Sequence, residues 1–219
     1  MTGKIIFLLA LLCFGADRRM VTEKIEWTYS DRPATANQAL PNVLLIGDSI
    51  TRAYYPAVAK NLDGKANVYY FATSASIGDA RLPHQLAEYY QMIRVSFDVI
   101  HFNNGMHGWG YTEDEYWAYF GEALAAVRAG APRAKLVWSS TTPVRKDKED
   151  GATNDRIEAR NSIAARAVGK GTKIDDQYLL MRSHGNLHSD DVHYNPEGSA
   201  LQGAQVAAII TEMLSNRAE

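Results

Sequence analysis

The stretch Asn42-Val43-Leu44-Leu45-Ile46-Gly47-Asp48-Ser49-Ile50-Thr51 decides the fold. An apolar run long enough for one buried strand ends in Gly-Asp-Ser, and helix-forming residues follow. Such a run predicts a central strand of a parallel sheet. Ligands of open α/β sheets bind in the crevice beyond the carboxyl ends of the strands. We therefore expect the Ser49 hydroxyl in that crevice and its N–H at a helix N-terminus. The alternative is that Asp48 or Ser49 only caps the next helix.

The composition is that of an ordinary globular protein. The chain has 219 residues, of which 46% are hydrophobic and 22% charged. This length suffices for one substantial domain with a well-buried core. The formal net charge is -2. A nucleic-acid partner calls for a clustered basic face, so we expect none.

The N-terminus has the pattern of an export signal. Lys4 precedes the apolar stretch 5–14, and two small residues follow it. This pattern predicts a signal peptide over residues 1–20, too short to span a membrane comfortably. We expect a secreted or periplasmic protein without stable membrane insertion after cleavage. A buried N-terminal strand or helix is the alternative. Cys13 is the only cysteine, so cleavage would leave no thiol, and lipid anchoring at Cys13 is left open.

The rest of the chain alternates between strand and helix patterns. We expect a leader over 21–41 that packs on the outside of one domain, 42–219. The predicted strands are 43–46, 67–71, 97–103, 135–140 and 172–174. The predicted helices are 50–61, 83–93, 112–130, 154–168 and 196–216, with Thr112 and Glu115 forming a capping-box pattern. This alternation predicts a three-layer α/β/α sandwich on a parallel sheet of about five strands, whose order the pattern leaves open.

A second informative stretch is Ser189-Asp190-Asp191-Val192-His193-Tyr194-Asn195-Pro196-Glu197-Gly198, before the last helix. Asp190 and His193 are three apart on a tight loop, so the carboxylate can reach a ring nitrogen. A histidine held in this way can take a proton from a serine hydroxyl. Asp191 is a competing orienter, and a polar loop that caps the last helix is the structural alternative.

The histidines near this loop raise the question of a metal. His184, His188 and His193 are close in sequence. Their spacing is not that of a helical zinc pair, and glycine and proline nearby favour a loop. We expect neither a metal nor a cofactor.

Taken together, the Gly47-Asp48-Ser49-Ile50 turn and the stretch 190–198 resemble the SGNH hydrolases, also called GDSL esterases and lipases. The resemblance extends from about residue 42 to the C-terminus. It implies a flavodoxin-like α/β/α fold, with Ser49 as the nucleophile, His193 as the general base and acid, and Asp190 as its orienter. No G-x-S-x-G motif occurs, which disfavours the α/β-hydrolase nucleophile elbow.

The resemblance also implies an oxyanion hole, but its motifs match less well. Gly78 is the best match for the family glycine whose N–H stabilises the oxyanion. The family's Gly-x-Asn-Asp corresponds here to Gly105-Met106-His107-Gly108, so that His107 stands where asparagine is expected. A histidine N–H can donate to an oxyanion. His107 is therefore the first candidate for the side-chain donor, and Asn103 or Asn104 is the alternative.

The expected activity is hydrolysis of a small-molecule or glycan ester through an acyl-enzyme on Ser49. The chain has no insertion large enough for a lid domain, which favours a short acyl group such as acetyl on a carbohydrate. Four aromatic residues next to the predicted crevice suit a sugar or an acyl chain unless they are core packing: Tyr54, Tyr55, Trp109 and Tyr111. The alternatives are a lysophospholipase or thioesterase on the same machinery, and a non-catalytic glycan-binding module.

Overall fold

The computed structural model describes residues 18–149 and 151–215. Its strands are β1 (Thr28–Asp31), β2 (Asn42–Gly47), β3 (Asn67–Thr73), β4 (Val99–Phe102), β5 (Lys135–Ser139) and β6 (Lys173–Asp175). Its α-helices are α1 (Ser49–Asn61), α2 (Arg81–Ile93), α3 (Glu113–Ala129), α4 (Asn154–Ala167), α5 (Gln177–Met181) and α6 (Pro196–Ser215), and a 3₁₀ helix spans Gly185–Leu187. Most of the predicted signal peptide, residues 1–17, lies outside the described residues. None of the helices in the described ranges has the length and apolar character needed to cross a membrane.

The strands form one sheet in the order β1-β3-β2-β4-β5-β6. Strands β2 to β6 are parallel, and β1 pairs antiparallel with β3. The order of the parallel strands is the flavodoxin-like one, so the predicted fold class is confirmed. Strand β1 was not predicted, and it lies in the segment that the pattern assigned to a leader. Because all of its residues are exposed, it has no apolar pattern to reveal it.

Helices cover both faces of the sheet. Leu44 and Ile46 of β2 pack with residues of α2, α3 and α4 on one face, whereas Val43 and Leu45 pack with α1 and α6 on the other. All four side chains are almost completely buried. A strand covered on both faces needs such an uninterrupted apolar run. Burial of each of these side chains stabilises the folded state by about 1.5–3 kcal/mol.

Local capping sets where two of the helices begin. The Asp48 carboxylate accepts a hydrogen bond from the N–H of Ile50 at 2.9 Å and so caps α1. Thr112 and Glu115 form the predicted capping box at the start of α3. Asp48 is thus the cap, and Ser49 is the first residue of α1, immediately after β2.

Candidate active site

Ser49 lies at the topological switch point of the sheet. It follows the central strand β2, which has β3 on one side and β4 on the other. The loops after β3 and β4 leave the sheet at the same edge, because the carboxyl ends of parallel strands coincide. The half-buried Ser49 therefore faces the crevice where ligands of such sheets bind.

Three side chains form a continuous hydrogen-bonded line at this edge. Ser49 Oγ lies 2.8 Å from His193 Nε2, and His193 Nδ1 lies 2.8 Å from Asp190 Oδ2. Because Nδ1 faces a carboxylate, it carries the proton of the neutral ring, and Nε2 is left as the acceptor. This arrangement allows His193 to take a proton from the Ser49 hydroxyl.

Asp190 is held in place by its own loop. Its Oδ1 accepts hydrogen bonds from the N–H groups of Val192 and His193, both at 2.7 Å. Partial burial opposes ionisation, but these bonds and the His193 ring lower the pKa of Asp190 to about 2. Asp191, the competing orienter, instead pairs with Arg145, whose Nη2 lies 3.2 Å from Asp191 Oδ1. Asp190 is therefore the carboxylate that contacts His193.

The other two histidines near this loop make backbone contacts. His184 Nδ1 lies 2.8 Å from the carbonyl oxygen of Leu180. The ring nitrogens of His188 each lie 3.2 Å from a carbonyl oxygen, and the ring stacks on Tyr194 with centroids 4.2 Å apart. Within 18–149 and 151–215, no group of three His, Cys, Asp or Glu side chains is arranged to hold a metal ion.

Gly78 lies in the loop after β3, where the Tyr111 ring and the Arg18 guanidinium both contact it. A Cβ at this position would lie 2.5 Å from the Tyr111 ring, so only glycine fits. Arg18 donates from Nε to the carbonyl of Gly78 and from Nη2 to that of Ile77, both at 2.8 Å. In a trans peptide the C=O of Ile77 and the N–H of Gly78 point in opposite directions. The bond from Arg18 thus turns the Gly78 N–H away from the guanidinium.

Asn103 and Asn104, the two asparagines considered as oxyanion donors, both make hydrogen bonds that link neighbouring loops. Asn103 Nδ2 donates to the carbonyl of Ser139 at 2.8 Å and to Thr141 Oγ1 at 3.1 Å. Asn104 accepts from the N–H of Ile77 at 3.0 Å and donates to another carbonyl of the same loop at 2.9 Å. These bonds occupy the amide N–H groups of Asn103, and this placement disfavours it as the oxyanion donor.

His107 is held by residues of the N-terminal segment. Glu23 Oε1 lies 3.4 Å from His107 Nδ1 and also accepts a hydrogen bond from the N–H of Gly108 at 3.0 Å. Trp27 meets the imidazole edge to face, with ring centroids 5.7 Å apart. Sequence reasoning missed Glu23 and Trp27 because no local pattern links residues 80 positions apart.

Arg160 of α4 holds the loop that carries His107. Its side chain is only 1% exposed. The guanidinium donates to four backbone carbonyls at 2.9–3.2 Å, those of Gly105, His107, Gly108 and Tyr111. Such charge-assisted bonds are stronger than neutral ones, so this loop is rigidly anchored. Sequence reasoning also missed Arg160, which looks like any polar residue of a surface helix.

The aromatic residues suggested by the sequence pack within the protein. Tyr54 and Tyr111 are buried, and Tyr55 packs on Tyr70 with centroids 4.5 Å apart. Trp109 has the Arg160 guanidinium carbon 4.1 Å from its ring centroid. The structure therefore favours core packing, rather than substrate contact, as the role of these four aromatic residues.

Comparison with known proteins agrees with this architecture. No protein-family model matches the chain, and a search of curated proteins finds no significant match. A carbohydrate esterase of family 3 from Talaromyces cellulolyticus is similar in structure, with a TM-score of 0.60 and 16% identity, covering 82% of this chain and 100% of that one. A carbohydrate acetylesterase from Sinorhizobium meliloti has a TM-score of 0.58 and 15% identity, covering 79% and 99%.

A third similar structure is a member of the lipolytic G-D-S-L family from Veillonella parvula. Its TM-score is 0.57 at 18% identity, and the match covers 78% of this chain and 98% of that one. At such identities the likeness concerns the fold. The chain has the fold of the SGNH, or GDSL, hydrolases.

Proposed function

We propose that this protein is a serine esterase that hydrolyses short-chain esters, in particular acetyl esters of carbohydrates. The observation that carries this proposal is the hydrogen-bonded line of side chains from Ser49 through His193 to Asp190. Ser49 Oγ and His193 Nε2 are 2.8 Å apart, and so are His193 Nδ1 and Asp190 Oδ2. The similarity in fold to carbohydrate esterases supports the same reaction class.

The proposed mechanism has two acyl-transfer steps. Ser49 Oγ attacks the ester carbonyl while its proton passes to His193 Nε2. His193 returns the proton to the alcohol oxygen as the C–O bond breaks, which leaves an acyl-enzyme. Water, deprotonated by His193, then releases the acid and restores Ser49. Asp190 stays ionised throughout and stabilises the imidazolium.

Three groups are proposed to bind the oxyanion. The N–H of Ser49 is the first of helix α1, where N–H groups have no intrahelical partner and the helix dipole is positive. The N–H of Gly78, oriented through Arg18, is the second. A side-chain N–H of His107 is the third, since the amide of Asn103 is engaged elsewhere.

One cavity next to the first turn of α1 supports a short acyl group. It is lined by residues that include Ile50, Thr51 and Tyr54, and its volume is about 10 Å³. A space of this size holds at most one water molecule. An alkyl chain therefore cannot enter this cavity.

A partly exposed aromatic pair beside His107, Trp27 and Tyr29, supports a carbohydrate as the alcohol part of the ester. Trp27 and Tyr29 have ring centroids 5.4 Å apart, and the Arg52 guanidinium carbon lies 4.2 Å from the Tyr29 centroid. Arg52 stands three residues after Ser49 on α1. Aromatic faces combined with a polar group suit a sugar ring, which has both apolar and hydroxylated surfaces.

The test is hydrolysis of p-nitrophenyl acetate, butyrate and octanoate by the purified protein beside a Ser49→Ala variant. We expect turnover that falls with chain length and is absent in the variant, followed by acetate release from glucose pentaacetate. A preference for octanoate would favour the lysophospholipase or thioesterase alternative. Absence of turnover above the variant on every substrate would refute the esterase and favour a glycan-binding module.

A further inference from the structure

The environment of His107 determines which of its nitrogens can donate a hydrogen bond. The Glu23 carboxylate faces Nδ1 at 3.4 Å and is itself fixed by the N–H of Gly108. Trp27 covers the ring edge to face, and Arg160 holds the backbone carbonyl of His107 at 2.9 Å. Only 20% of the His107 side chain is exposed, and these contacts orient its ring.

This orientation limits what a neutral ring can do. A neutral imidazole has one N–H, and the carboxylate of Glu23 keeps that proton on Nδ1 of His107. Nε2 is then only an acceptor and cannot stabilise an oxyanion. The imidazolium has an N–H at both nitrogens. An asparagine amide, by contrast, donates at every pH.

The charges around His107 favour the imidazolium. Glu23 and Glu26 come from the N-terminal segment, and Asp48 comes from the turn before Ser49. Asp48 Oδ2 is buried without a hydrogen-bond partner among the described residues, so its negative charge is incompletely compensated.

Positive charges near His107 are directed elsewhere. Arg160 donates to loop carbonyls, the Arg52 guanidinium lies over the rings of Tyr29 and Trp27, and Arg81 pairs with Glu26. Burial alone would lower the pKa of His107. The contact with the Glu23 carboxylate at 3.4 Å and the charges of Asp48, Glu23 and Glu26 outweigh burial and raise the pKa of His107 above its ordinary value.

We propose that Glu23 is a positioning residue that keeps His107 as an imidazolium, so that Nε2–H becomes the side-chain donor of a pH-gated oxyanion hole. This inference rests on the proposed esterase function. Turnover then requires His193 to be neutral and His107 to be charged. Since a raised pKa keeps His107 protonated to higher pH, the alkaline loss of activity comes as the pH rises through that pKa. Together with the requirement for a neutral His193 on the acidic side, this makes the profile bell-shaped.

The first experiment measures kcat/KM for p-nitrophenyl acetate against pH, followed at the isosbestic wavelength of p-nitrophenol. The variants are Glu23→Gln and His107→Asn, with Glu88→Gln at an exposed position of α2 as the matched control. We expect Glu23→Gln to move the alkaline limb down by about one pH unit or more, because a nearby opposite charge is lost. His107→Asn should remove the alkaline limb, and Glu88→Gln should leave the profile unchanged.

Two results would overturn the proposal. One is a Glu23→Gln profile in which kcat/KM falls by the same factor at every pH and the alkaline limb does not move, which would make Glu23 a structural residue. The other is an alkaline limb that persists in His107→Asn.

A second readout does not depend on turnover. NMR titration of the six histidine rings, with His107 assigned from its missing signal in His107→Asn, should show a raised pKa that falls in Glu23→Gln. If Ser49-dependent hydrolysis is absent but this shift is present, the proposed function fails while the Glu23–His107 coupling stands. If the His107 pKa is the same with and without Glu23, the coupling itself is refuted.

Discussion

Ser49 Oγ and His193 Nε2 lie 2.8 Å apart, although 144 positions separate the two residues in the chain. Helix α1 begins at Ser49, and α6 begins three residues after His193. The two helices pack on the same face of the sheet through side chains that include Val58 and Val206. The packing of α6 on α1 thus helps to set the distance between Ser49 and His193.

Gly203 allows the two helices to approach closely. A Cβ on Gly203 would lie 2.6 Å from Ala57 Cβ and 3.0 Å from the backbone oxygen of Tyr54. We expect Gly203→Ala to push the helices apart, to lower the free energy of unfolding by about 1–3 kcal/mol and to lower kcat. Urea unfolding and ester hydrolysis measure both effects.

Gly121 in α3 is the matched control, because a Cβ there would meet no atom within 4 Å. Gly121→Ala should raise the free energy of unfolding by about 0.5–1 kcal/mol through helix propensity and leave turnover unchanged. Equal effects of the two substitutions would contradict the close-approach argument.

The proposed nucleophile and the proposed oxyanion donor should differ in how much activity is lost when each is removed. Ser49→Ala removes the hydroxyl proposed to form the acyl-enzyme, so we expect no turnover above background. His107→Ala removes one proposed oxyanion donor, and the loss of such a donor typically costs about 10²–10³-fold in kcat. Hydrolysis of p-nitrophenyl acetate near neutral pH compares them. If His107→Ala were as inactive as Ser49→Ala, His107 would have to be reassigned as a base or an orienter.

The two neighbouring aspartates provide a direct test of which one orients His193. Asp190→Asn replaces the carboxylate that fixes the proton on Nδ1, and we expect kcat/KM to fall by roughly 10²–10⁴-fold. Asp191→Asn changes the surface pairs with Arg145 and Lys148 and should retain nearly full activity. Comparable losses in both variants would argue against Asp190 as the orienter.

Arg18 and Arg19 test the role of the N-terminal segment. Arg18 holds the carbonyls of Ile77 and Gly78, and its guanidinium carbon lies 3.9 Å from the Tyr119 ring centroid. Arg19 pairs with Glu115 at 2.6 Å and donates to the carbonyl of Gly110 at 2.6 Å, and no contact joins its side chain to Ile77 or Gly78 among the described residues. We expect Arg18→Ala to lower kcat/KM by roughly 10-fold or more, because the Gly78 N–H loses its fixed direction. Arg19→Ala should affect kcat/KM little.

Measuring Tm as well as kcat/KM for Arg18→Ala and Arg19→Ala distinguishes a lost orientation of the Gly78 N–H from a general loss of stability. The orienting role of Arg18 would be contradicted if the decrease in kcat/KM of Arg18→Ala were fully explained by a lower Tm. An equal decrease in kcat/KM in Arg19→Ala would contradict it as well. Both arginines fall within the segment 1–20 that the pattern assigns to a signal peptide. If Arg18 acts as proposed, cleavage has to occur before it, and intact-mass measurement of the exported protein would locate the new N-terminus.

Much of the sheet was predictable because its strands leave strong local patterns. The run 43–46 is apolar without interruption, as a strand buried on both faces requires, and the capping box of Thr112 and Glu115 appears as predicted. Strand β1 was missed because its exposed residues depend on pairing with β3 for their conformation. The short helix α5 and the 3₁₀ helix were missed as well, since neither is long enough to show a helical period.

The sequence by itself determined the fold class and the residue types at the ends of two elements: a serine after the central strand, and Asp-x-x-His before the last helix. These are local features, decided by apolar runs, turns and caps within a few residues. Only the tertiary structure decided that Asp190 rather than Asp191 contacts His193, that the Asn103 amide is engaged, and that Arg18 and Glu23 reach Gly78 and His107. Those contacts join residues about 35 to 85 positions apart, or they distinguish two neighbouring aspartates that differ only in the direction of their side chains. Their selection depends on how the packed helices and loops orient each side chain, which no local pattern encodes.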